Sequence, residues 1–70
     1  MKTVKFKVSG MHCRSCEMLI VDVLNEMGTE SAEAHHKKGE VVVRFDDNKI
    51  RIEDIMKAIK KEGYEVTVDE

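Results

Sequence analysis

The sequence contains no proline and no tryptophan, one tyrosine, two phenylalanines and two cysteines. So few aromatic rings leave no platform on which nucleic-acid bases could stack. The net charge is −2 and the basic residues are dispersed, so no nucleic-acid partner is expected. No apolar run approaches the roughly 20 residues of a membrane-crossing helix, which excludes direct insertion by that route. Met1 to Val8 alternates apolar with polar or charged residues and does not read as a secretory leader.

The two cysteines, Cys13 and Cys16, have two residues between them. A bond between them would staple almost no chain, so a structural disulfide would add little stability. Small secreted domains instead spread several cysteines along the sequence. A reduced pair in the cytoplasm is therefore expected. No second C-x-x-C and no H-x-x-x-H follows, so the four ligands that zinc prefers are not at hand. A thiol–disulfide oxidoreductase also sets C-x-x-C at a helix start, but its longer chain supplies a proline opposite the cysteines.

What is present fits one domain over residues 1–70. A chain of this size buries only about 60% of its unfolded surface, so the core is thin and chemistry should sit near the surface. Val4, Phe6 and Val8 alternate with Lys5 and Lys7, the period of a half-buried strand. A helix fits from about Ser15 to Met27, with Cys16, Ile20, Leu24 and Met27 on one face and Gly28 as its stop. Ala32 and Ala34 mark a poor strand, and Lys38-Gly39 a hairpin turn. Val41, Val43 and Phe45 define a clear strand that Asp46-Asp47-Asn48 breaks. A second helix is expected from about Ile52 to Glu62, with Ile52, Ile55, Met56 and Ile59 inward. Glu53 and Asp54 suit its positive end, and Lys60 and Lys61 its negative end. Gly63 closes it, and Val66 and Val68 give a last short strand.

The order β-α-β-β-α-β predicts an α+β, ferredoxin-like sandwich: a four-stranded antiparallel sheet with both helices on one face. At Gly10-Met11-His12-Cys13-Arg14-Ser15-Cys16 the sequence resembles the G-M-x-C-x-x-C loop of the heavy-metal-associated domain family. The resemblance extends over the whole chain, through Ile20, Leu24 and Met27, the strand Val41 to Asp46, and the pair Gly63-Tyr64. Three positions depart from the family pattern. Thr29 and His36 stand where aliphatic residues are usual, and Met18, Leu19 and Val21 add apolar character to the first helix. The first two imply a weak second strand. If His36 points inward, His36→Leu should stabilise the fold.

Two thiolates form a low-coordinate site that suits a soft ion such as Cu(I) or Hg(II). Cys16 falls in the first helical turn and Cys13 just before it, where the positive helix end and Arg14 favour thiolates. Cu(I) is the preferred ion, with Zn(II), Hg(II) or another soft metal as alternatives. Met11 is expected to pack inward and support the loop, although its thioether is a possible ligand. His12 is expected to be solvated beside the loop, and His35 and His36 to point to opposite sides of a strand. Tyr64 matches an aromatic that the family's bacterial-type chaperones place beside the metal loop. It either shields the ion or caps the core edge.

The resemblance implies a metal carrier without catalytic activity. It implies a heavy-metal-exporting P-type ATPase, or its soluble domains, as the partner. His12, Arg14, Met18, Leu19, Lys57, Lys60 and Lys61 are the candidates for the partner-facing surface. The same features also suit an amino-terminal metal-binding domain of such an ATPase. A monomer is expected, with a metal-bridged dimer as the alternative.

Overall fold

The structure, a computed structural model, describes residues 1–69. Strand β1 (Lys2–Ser9) leads into helix α1 (Arg14–Glu26), followed by β2 (Ser31–His35), β3 (Glu40–Phe45), helix α2 (Ile52–Lys61) and β4 (Glu65–Val68). The sheet order is β2-β3-β1-β4, and every adjacent pair is antiparallel. β1 and β2 are consequently parallel with β3 inserted between them, and β3 and β4 are parallel with β1 between them. Each half is a split βαβ unit, as the order of elements predicts.

The two-residue period of β1 sends Val4, Phe6 and Val8 to the buried face. They meet Val43, Val41 and Val66 across the ladders: Val4 lies opposite Val43, Phe6 opposite Val41, and Val8 opposite Val66. Such matched cross-strand pairs are what hold register in a sheet with one apolar face. Ile20 and Leu24 of α1, with Ile55 and Ile59 of α2, close the core over that face. Cys16, Met27, Ile52 and Met56 pack at its margin, so both expected helix stripes face the sheet. Ile50, just before α2, is also buried, although no periodic pattern marks it. Val68 pairs opposite Phe6 but remains 40% exposed at the outer strand.

The helix ends follow from local chemistry. α1 stops at Gly28, whose φ of 92° lies in the left-handed region. Thr29 then donates its hydroxyl to the Leu24 carbonyl at 3.0 Å. The hydroxyl joins the backbone N–H groups of Met27 and Thr29 on that carbonyl, an added bond at the helix end that an aliphatic residue could not make. At the start of α2, the Arg51 N–H donates to the Asp54 carboxylate at 3.2 Å.

Of the two adjacent histidines, His35 is exposed and His36 is half-buried at the rim, outside the core cluster. The ladder ends with His35 opposite Glu40, and residues 36–39 form the turn. Gly39, with φ of 66°, lets the chain reverse there. His36 sits in the turn against α1, and its backbone N–H and Nδ1 reach the Glu17 carboxylate at 2.5 and 2.6 Å. A leucine at this position would lose the imidazole contact without gaining a core site, so His36→Leu should not stabilise the fold.

β2 is an edge strand whose inward side chains, Ala32 and Ala34, bury little apolar area. Its amides paired to β3 should exchange with solvent faster than those of Val41–Phe45. Hydrogen exchange followed by NMR checks this, and equal or slower exchange in β2 would contradict it.

Candidate metal centre

The loop begins at Gly10, immediately after β1, with φ of 103°. That conformation favours glycine, and a Cβ there would also crowd the Tyr64 ring at 3.2 Å, so that the ring would have to shift. Met11 is 6% exposed and belongs to the core cluster, which pins the loop's beginning to the sheet. His12, Cys13, Arg14 and Ser15 are exposed, and Cys16 is half-buried. Cys13 is the residue that caps α1, in extended conformation, and its carbonyl accepts the Cys16 N–H at 3.1 Å.

Both thiols thus lie at the positive end of α1. The cysteines are free and their sulfurs are 3.6 Å apart, far beyond the roughly 2.05 Å of a disulfide. Sulfurs this close can both reach one ion, at the roughly 2.3 Å of a zinc–thiolate bond. Among the described residues, no group of three or more His, Cys, Asp or Glu side chains converges to hold a metal. A ligand set drawn from this pair is two-coordinate, and its outer side faces solvent.

The Tyr64 hydroxyl beside Cys16 holds that thiol down to about 7. Backbone donation from His12 and the neighbouring Cys13 side chain reinforce the effect, against a smaller upward push from burial. The Tyr64 hydroxyl, engaged with Cys16, is correspondingly pushed up to about 12. Tyr64 reaches the loop because it lies between α2 and β4, whose first residue, Glu65, pairs opposite Ser9 at the end of β1. The same pairing brings the end of α2 to the side of the loop. Glu17, one residue after Cys16, has its carboxyl lowered by the backbone N–H and then the imidazole of His36.

The remaining sequence candidates divide by place. Met18 and Leu19, in the turn of α1 after Cys16, are 62% and 42% exposed. Lys57, Lys60 and Lys61 are exposed on α2, and Lys57 and Lys60 flank a shallow cavity of about 200 Å³ with Glu53 and Met56. His35 is exposed with Nε2 at 3.9 Å from Glu33, remote in sequence from the thiols and turned away from the core. Glu17 was not foreseen as a neighbour of the loop's supporting structure. An acid in a first helical turn is ordinarily read as a dipole partner, and nothing local points to His36, 19 residues away.

The fold and the exposed pair define a class: a small ferredoxin-like domain that presents two free thiols at a helix start. Residues 5–65 match the heavy-metal-associated domain, and the chain belongs to that family. It is 37% identical over 60 residues to a copper chaperone, CopZ, of Staphylococcus aureus, covering 84% of this chain and 88% of that protein. It superimposes on a copper-binding domain of a P-type ATPase with a TM-score of 0.96 at 25% identity, covering 100% of this chain and 96% of that one. The copper chaperone of Enterococcus hirae in its apo form gives a TM-score of 0.86 at 30% identity, covering 94% of this chain and 98% of that one.

The electrostatics give a direct test. Alkylation of Cys16, followed site by site by mass spectrometry, should accelerate with rising pH and show its inflection near 7. Tyr64→Phe removes the first cause of the lowering, so the inflection should move upward toward the ordinary thiol range of about 8.5. An unchanged inflection in Tyr64→Phe would remove the hydroxyl from this role.

Proposed function

We propose that the protein is a metallochaperone that carries one Cu(I) between Cys13 and Cys16 and delivers it by thiolate exchange. The observation that carries this reading is the pair of free sulfurs 3.6 Å apart on an exposed helix start. Cu(I) is soft and accepts two thiolates, whereas Zn(II) ordinarily takes four ligands. Cys16, held near 7, supplies a thiolate at neutral pH with a small proton cost. Met11 supports the loop from the core, and Tyr64 shields its inner side. Hg(II) meets the same ligand preference, and Zn(II) would draw further ligands from a second molecule.

Delivery follows from the open side. A first partner thiol loses its proton and bonds to the ion as one sulfur of this chain lets go. A second partner thiolate then displaces the other sulfur, and the two freed thiolates of this chain take up the protons the partner's thiols gave up. No electron moves and no covalent bond of the protein breaks. The role is carriage and not catalysis, and it suits a reducing cytoplasm where both thiols stay free. The partner is a heavy-metal-exporting P-type ATPase, reached through a soluble domain. The docking face comprises the loop with His12 and Arg14, the exposed Met18 and Leu19, and the exposed Lys57, Lys60 and Lys61 of α2, the last two at its loop-facing end. A contact that must release after transfer should bury less than about 1,200 Å².

A second reading, the metal-binding domain of such an ATPase, is favoured by the superposition on the copper-binding domain of that enzyme class. Both readings use the same site and the same ion. They differ in whether this domain is the donor or the tethered acceptor.

In competition with a strong Cu(I) chelator, one Cu(I) should bind per monomer, and Cys13→Ser or Cys16→Ser should abolish tight binding. Wild-type affinity in either variant would refute the two-thiolate site. Transfer to an ATPase soluble domain should slow as ionic strength rises and on charge reversal of Lys57, Lys60 and Lys61. Stopped-flow transfer at two salt concentrations checks this, and insensitivity to both changes would exclude the lysines from docking.

A further inference from the structure

The turn at residues 36–39 touches the chain on both sides of the cysteine loop. On one side, the Val8 N–H donates to the Gly39 carbonyl at 2.8 Å, two residues before Gly10. The fit there is close: a Cβ on Gly39 would stand 3.2 Å from the Val8 carbonyl oxygen. On the other side, the His36 backbone N–H and Nδ1 converge on one carboxylate oxygen of Glu17, at 2.5 and 2.6 Å. Glu17 directly follows Cys16. Between buried Met11 and half-buried Cys16, residues 12–15 are exposed, so packing holds the loop at its two ends and not along its span.

We infer that the turn carrying His36 and Gly39 is a brace across the two stems of the cysteine loop, and that Glu17 and His36 are positioning residues for the thiols. This rests on the proposed Cu(I) carriage only for its effect on the ion. The brace itself is a property of the metal-free chain. Its physical basis is that hydrogen bonds to a carboxylate are short and strong, and two on one oxygen fix its direction. Glu17 is the rigid continuation of the helix turn that holds Cys16, so fixing the carboxylate restrains rotation of that turn. At the other stem, the Val8–Gly39 bond restrains the end of β1. With both stems held to the same short turn, the span between them is set and the sulfurs keep their separation. Contact with the turn is thereby converted into resistance to loss of the ion, without either residue touching it.

The charge of Glu17 must be separated from its hydrogen bonds, because removing a carboxylate beside a thiolate itself favours the charged form. Glu17→Ala removes charge and acceptor together, whereas Glu17→Gln removes the charge and keeps a carbonyl oxygen for both His36 donors. His36→Leu removes the imidazole and keeps the backbone N–H. Each variant is examined by thermal unfolding, by 15N relaxation of residues 10–16 in the reduced, metal-free protein, and by Cu(I) affinity and extraction rate with a chelator. Glu17→Ala should loosen the loop and weaken Cu(I) binding by about tenfold, the lower end of what outer partners of metal ligands contribute. Extraction should accelerate in parallel. His36→Leu should fall between it and wild type, and Glu17→Gln should stay near wild type in loop order and affinity.

A lower unfolding midpoint with unchanged loop relaxation and Cu(I) retention would make the contact purely structural and overturn the inference. So would Glu17→Gln as impaired as Glu17→Ala. If wild type holds Cu(I) no better than Cys13→Ser, the proposed function fails instead, and the metal-free relaxation alone decides the brace.

Discussion

One buried layer governs where everything else in this molecule lies. Val4, Phe6 and Val8 of β1, Val41, Val43 and Phe45 of β3, and Val66 of β4 face the stripes of α1 and α2 in one contiguous core. β1 is paired on both sides, to β3 and to β4, so the packing that fixes the sheet also fixes the point at which the chain leaves it. That point is Gly10. Met11 is the last residue of the layer, and the loop lifts off the core directly after it. In a domain this thin there is no second layer in which to bury a site. The thiols are therefore at the surface because the core is complete without them.

Surface placement sets the chemistry in turn. A thiol sunk in an apolar core would resist ionisation, since burial disfavours the charged form. Cys16, half-buried at a helix start, receives donors from Tyr64 and the loop backbone while losing little hydration. The same exposure leaves one side of the pair open. A closed four-ligand site holds its ion for structural ends, whereas a pair with an open side lends itself to exchange.

Much of this was legible in the sequence because the relevant signals are local. Alternation in β1 and β3 and the three- and four-residue steps of Ile20, Leu24, Ile55 and Ile59 specify the elements and their buried sides. The cysteine pair is likewise a local feature, although its pairing with Tyr64 was carried by family resemblance and not by any spacing. What escaped was non-local. His36 reads as a strand residue because Ala32, Ala34 and His36 alternate, yet the ladder stops at His35, and His36 sits in the turn with its ring on Glu17 of α1. Thr29 reads as a weak position until its hydroxyl is seen on the Leu24 carbonyl. Ile50 is isolated between polar residues and has no period to betray its burial.

The sheet order has one more consequence. β1 enters at Lys2 and climbs toward the loop, while β4 descends from Glu65, opposite Ser9, to Val68, opposite Phe6. Asp69 continues the descent with its N–H on the Lys5 carbonyl. Among the described residues, the start of β1 and the continuation of β4 at Asp69 consequently lie away from the sulfurs. A tether, a second module or a membrane-bound body attached at either end would hang below the domain and leave the loop facing outward. The loop would stay unobstructed whether the unit is free or part of a longer chain.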